Sequence, residues 1–289
     1  MVIEDIIQLL FFLIALISLS LVLGKYLHKV LSGESHILTN SLHKYETKLY
    51  RLLHINPHNE MSWKEYLKNL LAFNLFGLIM LVLLQVTQKY LPLNPNNLPN
   101  VDFGLALNTA ISFATNTNWQ SYAGETTLSH LTQMLGLTIQ NFVSAATGIA
   151  VLLALIRGIT KRKGTTLGNF WVDITRSIIY LLLPLSILLS IILISQGVVQ
   201  TFSTNVVIKT IEGSKQIIPL GPAASQIAIK QLGTNGGGFF NANSAFPLEN
   251  PTYISNFLQV LSILLIPCSL VFAFGKMLNF QKLRFTVVA

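Results

Sequence analysis

Two polar stretches in an otherwise apolar chain carry residue types suited to holding a dehydrated cation. They are Thr115-Asn116-Thr117-Asn118-Trp119-Gln120 and Thr234-Asn235-Gly236-Gly237-Gly238. Neither offers an acid–base pair; what they offer is backbone. Glycine keeps side chains out of a narrow space and reaches φ > 0 at little steric cost. Carbonyl oxygens turned inward can then replace the water shell of an ion. A phosphate loop is excluded, because no Lys-Ser or Lys-Thr follows the glycines, and the spacing of a dinucleotide fingerprint is missing. Taken alone, residues 236–238 read as a flexible turn and the Asn-rich stretch as turns and caps. Their setting favours the ion.

Each stretch follows a short helix. Asp102 is a candidate N-cap for a helix over 103–114. Gly221-Pro222 places proline at the first position of a helix over 222–232, and Gly233 stands where a helix end favours glycine. A twelve-residue helix is only about 18 Å long, too short to cross a bilayer. Both helices close on a Thr-Asn dipeptide, 115–116 and 234–235, and an aromatic residue follows, Trp119 in one case and Phe239 in the other. The plan of span, short helix, polar segment and span is thus written twice, about 120 residues apart. A half-crossing helix aims its partly negative C-terminal end at the membrane centre and favours a cation there. Extended backbone at that depth persists only inside protein or along a watery cavity. On this plan Gly237 needs φ > 0 or an empty lumen beside it, while Gly197 faces no such demand.

The elements that must position these loops are membrane spans. Of 289 residues, 52% are hydrophobic and 10% charged, against roughly a quarter charged in soluble domains. Segments 6–23, 70–86, 137–156, 177–195 and 254–274 are each apolar enough for a crossing of about 20 residues. The first is read as an uncleaved span, since Glu4 and Asp5 precede it and Gly24-Lys25 follows in place of a cleavage site. Segments 24–69, 157–176 and 275–289 hold seven, five and three Lys or Arg, fifteen in all, and the alternate segments hold four. That bias puts the N-terminus outside and the C-terminus in the cytoplasm. It also accounts for a pI near 9.6 without nucleic acid. The single Cys268 permits no internal disulfide. In the first basic loop, Leu42, Tyr45, Leu49, Leu52 and Leu53 fall at helical spacing over 41–54, which reads as an amphipathic helix on the inner leaflet or a docking surface. Ser62 and Glu65 form a capping box ahead of the second span. His130, near the outer end of the third span, is read as a satisfied interfacial residue, and the small residues of "SAATG", 144–148, as a close-packing face.

Several motifs together resemble one family. "NTNWQSY.GETT", "QNF.SAA.GIA", "GTNGGGFFNANS" and "ENPT", with "YLPLNPNNLP", "ALIRGIT" and "LGNFWVD", are similar to the potassium-binding subunit of the Kdp-type potassium-transporting ATPase, from Ile6 to about Gly275. The resemblance implies an all-α integral membrane protein of the potassium transporter superfamily. This chain would have five transmembrane helices and two re-entrant pore-helix and filter loops. It implies K+ as the transported ion and, as partners in the bilayer, a P-type ATPase catalytic subunit that hydrolyses ATP and two small subunits. No aspartyl-phosphate motif or P-loop occurs in the chain, so no ATP site is expected. By motif, Thr115, Asn116, Thr117, Asn118, Trp119 and Gln120 would be one filter segment, and Thr234, Asn235, Gly236, Gly237 and Gly238 a second. Gln120 would stand at the filter's outer edge, where the family tunes affinity.

The implied organisation is an N-terminal span and loop over 1–60, membrane–pore–membrane repeats over 61–160 and 161–280, and a truncated tail over 281–289. The family's usual His and Phe are replaced here by Phe246 and Leu248, which bears on packing around the mouth. Its filter is ringed by four segments, and two are present. A truncated chain is therefore expected, either an inert remnant or a half that pairs with a chain supplying the other two repeats. The rival class, a permease of an ATP-binding-cassette importer, would need a coupling helix that the short basic loop 157–176 does not offer.

Overall fold

The computed structural model describes residues 3–160 and 165–278. The tail over 281–289 lies outside them. In chain order the helices are α1 (Ile3–Ser32), α2 (Thr39–Leu52), α3 (Trp63–Thr87), α4 (Phe103–Ala114), single-turn α5 (Gly124–Thr127), α6 (Ile139–Thr160), α7 (Phe170–Arg176), α8 (Leu183–Ser195), α9 (Ala223–Leu232) and α10 (Tyr253–Met277). A hairpin of β1 (Val206–Lys209) and β2 (Lys215–Ile218) precedes α9, with Val206 opposite Ile218. π-helical turns Thr132–Thr138 and Ser177–Leu182 lead into α6 and join α7 to α8.

Among the described residues, five helical stretches are long and apolar enough to cross a membrane. They are Ile3–Ser32, Trp63–Tyr90, Thr132–Thr160, Phe170–Ser195 and Tyr253–Met277. Each contains one of the apolar segments and overruns it, because capping residues sit beyond the apolar run. Ser62 N–H donates to Glu65 Oε2 at 2.8 Å ahead of α3, and Asn169 Oδ1 accepts from the Trp171 and Val172 N–H groups ahead of α7. Large apolar side chains such as Phe11, Leu71 and Leu188 stay more than half exposed, as lipid in place of water allows. The chain is an all-α multi-pass membrane protein.

It divides into two compact units. One comprises Met1–Leu71, Ala146–Pro184 and Val260–Ala289. There α2 forms as expected, and the face it buries in the protein is a polar one that its apolar spacing does not announce. Glu46 and Tyr50 are buried, while Tyr45, Leu52 and Leu53 are exposed. Glu46 accepts from the hydroxyls of Tyr50 (2.8 Å) and Tyr180 (2.6 Å) and from Arg176 Nε (2.9 Å). Burial alone would raise its carboxyl; the hydrogen bonds from Tyr180, Arg176 and Tyr50, with the Arg176 charge, outweigh this and bring it down to about 2. A second pair, Arg157 with Asp173, is bidentate at 2.5 and 2.8 Å, and Tyr66 donates to the same carboxylate. Charges withdrawn from water persist only with such partners.

The other unit comprises Ala72–Ala145 and Leu185–Gln259 and holds both short helices. Asp102 Oδ1 accepts from Gly104 N–H at 2.8 Å, fixing the start of α4. Ala106, Ala110 and Phe113 of α4 pack into a core with Leu81, Val101, Tyr122, Leu128 and Leu137. Pro222 takes the cap position of α9 in place of the expected first helical one, since its ψ of 61° is not helical.

Candidate ion-binding loops

The two polar stretches share one backbone course. α4 ends at Thr115 (φ −87°, ψ 6°), and φ is positive at Asn116 (60°) and Asn118 (58°). α9 ends at Gly233 (φ −79°, ψ −3°), and φ is positive at Thr234 (53°) and Gly236 (105°). Main-chain bonds repeat in step. N–H groups of Thr115, Asn116 and Thr117 donate to carbonyls of Ile111, Phe113 and Ser112; those of Gly233, Thr234 and Asn235 donate to Ile229, Gln231 and Lys230. Residue 115 therefore corresponds to 233, one position off the register suggested by the two Thr-Asn dipeptides. The dipeptides match by composition, whereas helix geometry sets where each chain leaves its helix. Gly233 is also right-handed, and the left-handed position after the helix belongs to Thr234. Alternating handedness turns successive peptide units the same way, gathering N–H groups on one side and carbonyls on the other.

Glycine is required for two different reasons. Gly236 has φ of +105°, and an added Cβ would meet only Thr117 O, at an unstrained 3.8 Å, so its demand is conformational. Gly237 does not have positive φ, contrary to one branch of expectation. A Cβ there would lie 2.5 Å from Asn118 O, 2.9 Å from Asn118 Cβ and 3.1 Å from Phe113 Cζ. Its demand is close approach, with the first stretch pressed against the second.

The loops are also bonded to one another. Gly238 N–H donates to Gln120 Oε1 at 3.0 Å, and Gln120 Nε2 donates back to Gly238 O at 3.2 Å. Asn235 Nδ2 donates to Asn116 Oδ1, which also accepts from Ser144 Oγ at 2.8 Å. Asn118 Nδ2 donates to Asn141 Oδ1. All eleven sequence-chosen residues thus fall in two adjoining loops. Trp119 turns outward at 47% exposure, and its carbonyl accepts from Ser112 Oγ at 3.1 Å. Asn118 Oδ1 and Asn235 Oδ1 are buried acceptors that receive no hydrogen bond among the described residues.

Asn141 and Ser144, on α6, hold both loops, a role that the small-residue reading of 144–148 missed. The usable signal was their polarity at i, i+3 on an apolar span, because polar side chains at membrane depth face protein or a cavity. His130 is buried, with Nε2–H donating to Leu220 O at 3.1 Å. Phe246 stacks on Phe240 with centroids 4.2 Å apart. The substituted position is therefore filled by an aromatic pair.

Fold and loops define the class: a multi-pass helical membrane protein with two short helices, each ending in a polar loop bonded to the other. Comparison with known sequences names the family. The model described as potassium-transporting ATPase A subunit matches residues 10–289, and the chain belongs to that family. The match continues past Gly275, where the motif resemblance stops. The chain is 55% identical over 298 aligned positions to the potassium-transporting ATPase potassium-binding subunit of Herpetosiphon aurantiacus, covering all of this chain and 51% of that protein. It is 54% identical to the protein of that name from Sorangium cellulosum over 287 positions, 96% of this chain and 50% of that one. For the protein of that name from Pseudomonas fluorescens, identity is 58% over 253 positions, 88% of this chain and 45% of the relative. The chain spans about half the length of the relatives it matches.

Proposed function

We propose that this chain is the potassium-binding and translocating part of an ATP-driven potassium uptake complex. Residues 115–120 and 234–238 would contribute two segments of the filter that strips and holds external K+. The observation that carries the reading is the pair of loops with φ alternating in sign, bonded loop to loop through Gln120 and Gly238. Such loops present rows of carbonyls to an ion, and the names of the relatives, potassium-binding subunits, point the same way. The unpartnered oxygens of Asn118 and Asn235 suit a path shared with water. Residues 61–160 and 161–280 would be two membrane–pore–membrane repeats, with two more completing the ring. ATP hydrolysis would belong to a catalytic partner of the P-type ATPase class, with two small subunits beside it. The exposed Tyr45, Leu52 and Leu53 of α2 would lie on the inner leaflet of a bacterial plasma membrane, with the N-terminus outside.

The test is uptake of rubidium tracer by cells lacking their own high-affinity systems, with the chain expressed beside the other components of such a complex. ATP-dependent uptake that vanishes without the chain, and co-purification of the P-type ATPase partner, are expected. A folded, inserted chain that supports neither would overturn the reading. Reporter tags at the N-terminus should read external.

A further inference from the structure

Lys230 and Glu249 form an ion pair closed to solvent, their side chains 2% and 0% exposed. Such a pair does not justify itself as stability, since apolar packing of the same volume generally serves as well. Its position supplies a reason. Lys230 lies in the last turn of α9 and Glu249 in the loop before α10, so the pair brackets the second polar stretch in sequence. It also backs that stretch in space. A Cβ built on Gly238 would fall 2.5 Å from Lys230 Nζ and 3.3 Å from Glu249 Oε2. The ion pair therefore packs directly behind the residue whose N–H and C=O are both held by Gln120. Both ends are anchored. Lys230 Nζ also donates to Asn243 Oδ1 at 3.3 Å, Ser244 Oγ donates to Glu249 Oε1 at 3.4 Å, and Gln259 Nε2 on α10 donates to Glu249 O at 3.0 Å.

An ammonium in that last turn opposes the feature the short helix provides. The helix end favours a cation through its partial negative charge of roughly half an elementary charge, and a full positive charge on the same turn would more than cancel it. Glu249 removes that conflict while leaving the long Lys230 side chain in place as a prop.

We propose that the Lys230–Glu249 pair is a positioning device that sets ion affinity and discrimination, by bracing Gly238 from behind and neutralising a positive charge beside the cation path. The inference rests on the filter reading above. In the assembled complex, Glu249→Gln leaves an unpaired ammonium and should raise the half-saturating K+ concentration of the ATPase by about tenfold or more. Lys230→Met removes the brace and leaves no positive charge beside the path, only the Glu249 carboxylate without its partner, so discrimination against Na+ should fall more than K+ affinity does. The double variant Lys230→Met/Glu249→Gln should regain part of the affinity lost in Glu249→Gln while discrimination stays impaired. This opposite movement of two readouts is not what simple loss of folding gives. Should a single variant not accumulate, the double decides. A folded double variant with wild-type affinity and discrimination overturns the proposal, as does one no better than Glu249→Gln in affinity. A wild-type complex whose ATPase ignores K+ would instead overturn the filter reading itself.

Discussion

The two short helices and their loops follow one backbone course with opposite side-chain strategies. The first loop is built from side chains: Asn116, Asn118 and Gln120 reach across to Asn235, Asn141 and Gly238. The second is built from their absence, with glycine at 236, 237 and 238. At corresponding positions one carries Trp119 and the other Gly237. The helices differ likewise. Nine of the ten residues of α9 are buried, whereas α4 leaves Phe103 64% and Ile111 44% exposed. The repeat is therefore complementary rather than duplicated. Bulk and amides on one side need bare backbone on the other, and exchanging the two sequences would leave both loops unsupported.

The largest expected effect breaks this complementarity at its tightest point. Gly237→Ala would drive a methyl into Asn118 O, which can yield only by moving the first loop. Overpacking of this kind costs about 1–3 kcal/mol or more, and at the upper end that is a loss of about a hundredfold in ion affinity. Half-saturation of uptake by K+ measures it, and unchanged affinity would refute the contact. Gly197 does not serve as the mild control expected of it, because its φ is +95°. Gly148→Ala does: it is helical, and nothing lies within 4 Å of its added Cβ.

Next comes the shared support. Asn141→Ala removes the acceptor of Asn118 Nδ2 and leaves a buried donor unbonded, at about 1–3 kcal/mol. Hydrogen exchange should quicken at residues 116–119 before it quickens at the hairpin. Uniform quickening would mean that Asn141 stabilises the whole unit and not the loops. Gly236→Ala follows, at about 1–2 kcal/mol for a side chain at φ of +105°. With no clash at the added methyl, the loss should appear as lower thermal stability in detergent, and ion affinity should suffer less than in Gly237→Ala.

How much of this was legible in sequence depended on where the determinants lie. The five spans follow from apolar runs, and α4 starts at Phe103 because Asp102, adjacent in sequence, caps it. α9 was misread by one position because the ψ of Pro222 is set by what packs around it. The loop register was misread because two identical dipeptides outweighed the helix ends. The burial of Glu46 on α2 was not legible for a tertiary reason: its partners, Arg176 and Tyr180, lie 130 and 134 residues away. No local period announces them. The close approach of Gly237 to Asn118 and the pairing of Lys230 with Glu249 are likewise tertiary facts.

The smallest effect sharpens the comparison at the first left-handed position after each helix. There the first loop has Asn116 at φ 60° and the second has Thr234 at φ 53°. Asparagine tolerates this region, while a β-branched residue is strained in it. Thr234 is exposed, so neighbours do not force it there; its Oγ1 donates to Gly233 O at 2.7 Å. That bond draws the hydroxyl onto the last carbonyl of the helix end. Thr234→Asn should relieve strain and raise stability by up to about 1 kcal/mol, read as a higher unfolding temperature in detergent. If the hydroxyl only offsets strain, ion affinity stays at the wild-type value. If affinity falls while stability rises, the strain serves function by presenting the Gly233 carbonyl and the Thr234 hydroxyl to the ion. A variant that is less stable would show that the hydrogen bond outweighs the strain. The two loops would then share their backbone course for different local reasons.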